Sequence, residues 1–134
     1  MGCCGSDEVD HEINNAKSIN DLIAIITERK QKIPNEIQQI SDHLEDPSKE
    51  VEGINVDKID PEVLAKRIPY LKSLEEAYEQ VIKKLNNHKD LPLKDIKGYC
   101  ANICKKYYLT YDPNKELDAE LQKFDDFVNK QQTN

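Results

Sequence analysis

In successive segments between Ile19 and Val128 the apolar residues recur every three or four positions, and that period constrains the fold more than any other feature of the chain. Ile19, Leu22, Ile23 and Ile26 share one face of a helix, as do Ile37, Ile40 and Leu44. With 37% hydrophobic and 34% charged residues, no Trp and two Phe, only narrow apolar stripes are available. Such stripes suit amphipathic helices around a modest core better than buried sheets. The expected fold is all-α, a small bundle of about five helices.

Prolines and capping residues punctuate the stripes. Ser18 with Asp21 three residues on resembles a capping box, so the first helix opens there and extends to Ile33. Pro34 disfavours helical geometry at Ile33, which predicts a break, with a second helix from Pro34 to Asp46-Pro47-Ser48. A polar connection around Gly53 follows, with Val51, Ile54 and Val56 available to pin it to the bundle. Asp60-Pro61 starts a short helix over 61–67 that yields at Pro69. A longer helix then runs to Leu85, turning Ile68, Leu71, Leu74, Tyr78, Val81, Ile82 and Leu85 inward. Residues 94–109 form the next helix, in which Gly98 costs about 1 kcal/mol relative to Ala. Asp112-Pro113 restarts a last helix over 113–130, where Leu117, Leu121, Phe124 and Val128 form a heptad seam wanting one partner helix. That seam is a candidate interface, but five narrowly striped helices can hardly spare one, which favours the core.

Residues 1–17 read differently. They are polar and lack a marked period, so they predict a flexible tail ahead of a helical domain over 18–131. The tail opens Met1-Gly2-Cys3-Cys4-Gly5-Ser6, a pattern that fits myristoylation of Gly2 once Met1 is removed, with Cys3 and Cys4 placed to accept palmitate. These six residues resemble the start of dual-acylated peripheral membrane proteins, a class that includes G-protein alpha subunits and Src-type kinases. The resemblance ends at Ser6. No P-loop or kinase signature follows, so it implies an anchor and no catalytic activity.

Charge supports the second acyl chain. A single myristoyl group binds a bilayer with only about 10^4 M⁻¹, and a basic patch often assists it. Here Asp7, Glu8, Asp10 and Glu12 face only Lys17, so palmitate is the remaining route to a stable anchor. The expected location is the cytosolic face of the plasma membrane, or of another membrane holding an acyltransferase. There thiols stay reduced and the four cysteines need not pair. No apolar run approaches the ~18 residues of a spanning helix.

The remaining constellations point away from chemistry. Net charge is −7, which argues against nucleic acid as a partner. Cys100 and Cys104 stand four apart, but His11, His43 and His88 are scattered, so no metal set forms and the thiols read as core residues. The acids from Asp112 to Glu120 alternate as in a calcium loop, yet Leu117 and Lys123 occupy the positions that need Gly and Glu. Lys94, Lys97 and Lys105 lie on one helix face, either a membrane contact or a solvated surface. Tyr99, Tyr107, Tyr108 and Tyr111 cluster as a docking surface or as core-edge packing. No nucleophile stands beside a base, so neither enzyme activity nor a cofactor is expected. The functional expectation is a lipid-anchored, non-enzymatic adaptor that brings a protein partner to a membrane. The alternative is a helical protein that senses or shapes the membrane through the lysine face.

Overall fold

The Ser18 hydroxyl accepts from the Asp21 N–H at 3.2 Å, and the Asp21 carboxylate reaches back to the Lys17 N–H at 2.8 Å. This box opens helix α2, Ile19–Glu45. The Asp60 carboxylate likewise accepts from the Glu62 N–H at 2.9 Å and opens α3, Pro61–Asn87, with Pro61 in its first turn. These coordinates are a computed structural model that describes the backbone of residues 3–132 and the side chains of residues 7–132.

Neither long helix breaks at its internal proline. Pro34 lies inside α2 and Pro69 inside α3, so four expected segments are two 27-residue helices. Each proline removes an N–H and costs about 3 kcal/mol in a helix interior. The stripe nevertheless continues in phase across it. Ile26, Ile33 and Ile40 are all buried on α2, and Leu64, Leu71, Leu74 and Tyr78 on α3. Stopping at the proline would turn half of each stripe out of the core. The two helices form an antiparallel hairpin, bridged by Lys30–Glu79 at 2.9 Å and Arg67–Glu36 at 2.6 Å. The connection over 46–60 is pinned by buried Val51 and by half-buried Ile54 and Val56, as their positions suggested.

Helix α4, Leu93–Lys105, continues into a 3-10 turn over Lys106–Tyr108. Helix α5 spans Glu116–Gln132, three residues later than Pro113 predicted. The Asp112 carboxylate accepts from the N–H groups of Glu116 and Leu117 at 2.9 and 2.7 Å, with Lys115 between at φ 54°. Asp112 is therefore spent on capping α5. Leu117, Phe124 and Val128 are buried and Leu121 is half-buried, so the C-terminal seam closes the bundle. Lys84–Asp125 at 3.1 Å adds a tie between α5 and α3.

The expectation of an all-α bundle of about five helices holds, but the first of those helices lies where a tail was expected. Helix α1 spans Cys3–Asn14, and Val9, Ile13 and Ala16 are buried in the common core. Their spacing of four and three is helical, though three apolar residues among many acids make a faint signal. Two of its four acids find counter-charges on neighbouring helices. Asp10 pairs with Lys105 at 2.7 Å, Glu12 with Arg29 at 2.9 Å, and the Lys97 ammonium donates to the Asn14 carbonyl at 3.0 Å. The helical domain therefore begins within α1 and not at residue 18. Of the acylation motif, Gly2 lies outside the described residues, as do the side chains of Cys3 and Cys4.

Candidate functional site

Two charged residues sit where the stripes call for apolar ones. Glu36 lies between Ile33 and Ile40 on α2, and Arg67 between Leu64 and Tyr70 on α3; both are buried. An unpaired charge at such depth would cost several kcal/mol, so each needs partners. The Arg67 Nε donates to Glu36 at 2.6 Å, and its remaining nitrogens donate to the carbonyls of Leu109 at 2.6 Å and Tyr107 at 3.3 Å. The Tyr107 hydroxyl donates a short hydrogen bond to the other Glu36 oxygen, while the Arg67 guanidinium lies 5.1 Å from the Tyr107 ring centre.

The same cluster finishes α4. A helix leaves its last carbonyls without intrahelical donors. Here α3 supplies donors from outside: the Tyr78 hydroxyl to Cys104 at 3.4 Å, the Tyr70 hydroxyl to Lys106 at 2.6 Å, and Arg67 beyond. Burial raises the pKa of the Tyr70 and Tyr78 phenols well above its ordinary value. Tyr107 is pushed up to about 12 by burial and by its bond to the Glu36 carboxylate. All three hydroxyls therefore stay protonated near neutral pH and serve as donors, not as bases.

Around Tyr107 the surface is hollow. Three adjoining cavities of about 200, 190 and 310 Å³ share this ring as a wall. Together they form a cleft between α1, the middle of α2, the loop at Gly53 and the 3-10 turn. Tyr108 stands edge-to-face on Tyr107, with ring centres 5.1 Å apart, and is 37% exposed at the rim. On the α1 side, Arg29 holds Glu12 while its Nε–H is buried without an acceptor among the described residues. Burial opposes the Arg29 charge, but the Tyr108 hydroxyl and Glu12 more than offset it and hold the guanidinium pKa above its ordinary value. The cleft offers aromatic faces, carboxylates and fixed donors, which equips it to hold a polar chain.

The residues singled out from sequence lie mostly elsewhere. Lys97 and Lys105 are engaged with α1, and only Lys94 of that trio is exposed. Cys100 and Cys104 are fully buried and their thiol pKa values are raised by burial, with Cys104 at about 12. Among the described residues no group of three or more His, Cys, Asp or Glu is placed to hold a metal ion. The tyrosine cluster divides: Tyr99 packs on Phe127, Tyr111 lies against Lys66, and Tyr107 and Tyr108 line the cleft. Glu36, Arg67 and Arg29 escaped the sequence reading. For Glu36 and Arg67 the available signal was a charge at three-and-four spacing inside an apolar stripe. No protein-family model matches this chain, and neither does any curated protein or solved structure.

Proposed function

We propose that the protein is a dual-acylated peripheral membrane protein, myristoylated at Gly2 and palmitoylated at Cys3 and Cys4, that acts as a non-enzymatic adaptor. The observation that carries this reading is the opening Met1-Gly2-Cys3-Cys4-Gly5-Ser6, in which a myristoyl acceptor and two thioacylation sites stand side by side. None of the described helices is long and apolar enough to cross a membrane, so residence on a bilayer would depend on such chains. A helical body with a cleft is suited to hold a partner, and confinement to a surface raises the local concentration of both. A membrane-reading role for Lys94, Lys97 and Lys105 gains no support here, because two of the three serve α1.

Membrane fractionation tests the anchor. Gly2→Ala removes the only amine that can take myristate, and the protein is expected in the soluble fraction. Replacing both Cys3 and Cys4 by Ser keeps myristate but returns binding to the weak single-chain regime. Hydroxylamine should then no longer affect retention. A Gly2→Ala protein that pellets like the wild type refutes the reading.

A further inference from the structure

We infer that the cleft at Tyr107 and Tyr108 is a docking groove for an extended segment of a partner protein that carries lysine or arginine. The inference builds on the adaptor reading and specifies the partner's chemistry.

Charge balance is the first argument. Five carboxylates line the three adjoining cavities, those of Glu8, Glu12, Glu28, Glu36 and Glu52, against the three cations Arg29, Lys32 and Arg67. Arg67 is committed to Glu36 at 2.6 Å and Arg29 to Glu12 at 2.9 Å, whereas exposed Lys32 only approaches Glu28 at 3.9 Å, so the lining carries an excess of two negative charges. That leaves Glu8 and Glu52, both exposed, with no cation from the described residues within ion-pair distance. Their field attracts a cation and repels phosphate, which disfavours both an anionic leaflet and a nucleic acid as occupant.

The shape of the cleft is the second argument. Glu8 borders the cavity beside Arg29 and Lys32, whereas the Glu52 N–H donates to Gln39 at 2.7 Å, farther along α2. From Arg29 to Gln39 is ten residues of helix, or about 15 Å at 1.5 Å per residue. An extended chain covers that in about five residues. Tyr108 borders the Glu8 cavity with part of its ring open, where a lysine or arginine stem can lie and its cation meet the ring face. A segment with basic side chains about four positions apart therefore meets a carboxylate at each end and the open face of Tyr108 beside Glu8. Cytosolic stretches flanking membrane spans are rich in Lys and Arg, and a bilayer-held adaptor would meet that composition.

The test uses the full-length protein without acyl groups, carried as Gly2→Ala, to select from a library of randomised nine-residue peptides. Enrichment of Lys and Arg is expected. Binding of the enriched peptides, followed by fluorescence anisotropy, should fall at least tenfold in Glu8→Lys/Glu52→Lys, severalfold in Tyr108→Ala, and steeply with added salt. Circular dichroism melts should show both variants folded, since all three positions lie at the surface. No enrichment, enrichment of acidic or uncharged peptides, or basic peptides indifferent to Glu8→Lys/Glu52→Lys would each overturn the groove. So would binding of the unacylated wild type to phosphatidylserine vesicles in place of peptides. Because no acyl chain takes part, failure here leaves the fractionation result for Gly2→Ala untouched, and the reverse also holds.

Discussion

Removing Arg67 should destabilise this protein more than any other single change at the cleft. In Arg67→Met the stem is replaced by apolar volume, but Glu36 keeps only the Tyr107 hydroxyl as donor. The carbonyls of Leu109 and Tyr107 lose their side-chain donor as well. Breaking a buried ion pair from one side costs about 3–5 kcal/mol. That is a large share of the roughly 5–15 kcal/mol that holds a domain folded. At a few degrees per kcal/mol for a chain of this size, the melting midpoint should drop by about 10–20 °C. Glu36→Gln should be milder, about 1–3 kcal/mol, because the amide oxygen still accepts and Arg67 keeps its carbonyls. The double replacement Glu36→Met/Arg67→Met should recover part of the loss, since neither charge then remains buried alone. Urea unfolding followed by far-ultraviolet circular dichroism measures all three. An Arg67→Met protein within 1 kcal/mol of wild type, or a double variant no better than the single one, would refute the assignment of Arg67 as the centre of the network.

Three further outcomes follow from burial and helix packing. Phe124→Ala should cost about 3–5 kcal/mol in the same urea assay, because Phe124 is fully buried in the α5 seam; an unchanged midpoint would put the seam outside the core. Gly98→Ala should stabilise by up to about 1 kcal/mol, since an added Cβ meets nothing within 4 Å; a loss of stability would reveal a contact there. In a Cys3→Ser/Cys4→Ser protein, burial should leave Cys100 and Cys104 unreactive to a thiol reagent until denaturant is added. Alkaline titration carries a sign of its own. The Tyr107 phenol sits at about 12 when folded against 10 when free, so the folded state keeps a proton that the unfolded chain releases. Its contribution is intact below pH 10 and is lost as pH rises towards 12, which phenolate absorbance beside a melt would show.

The helical period carried most of the fold. Stripes such as Ile19–Leu22–Ile26 and Leu117–Phe124–Val128 are legible because each buried position repeats the argument of the last. The caps at Ser18 and Asp60 were legible because a side-chain oxygen beside a helix start has few other uses. The errors arose where tertiary packing outweighed a local rule. Pro34 and Pro69 are breakers by local geometry, yet the hairpin buries enough on both sides to carry the helix through them. Helix α1 was hidden because its acids look solvated until Lys105 and Arg29 arrive from residues distant in sequence. The cleft was least legible of all. Tyr107, Glu36 and Arg67 are dozens of positions apart, and only the hairpin and the end of α4 bring them together.

Helix α1 also changes what an anchor at the chain's start would do mechanically. A loose leader of fifteen residues would let its cargo wander about 20 Å from the attachment point, at 5–6 Å times the square root of its length. In this chain the backbone is helical from Cys3 and clamped to the bundle at Val9, Asp10 and Ile13. Acyl chains bonded at that end would act less like a leash than like a hinge pin. The body would ride at a nearly constant height and turn one flank to the lipid, so a partner would have to approach from a fixed direction.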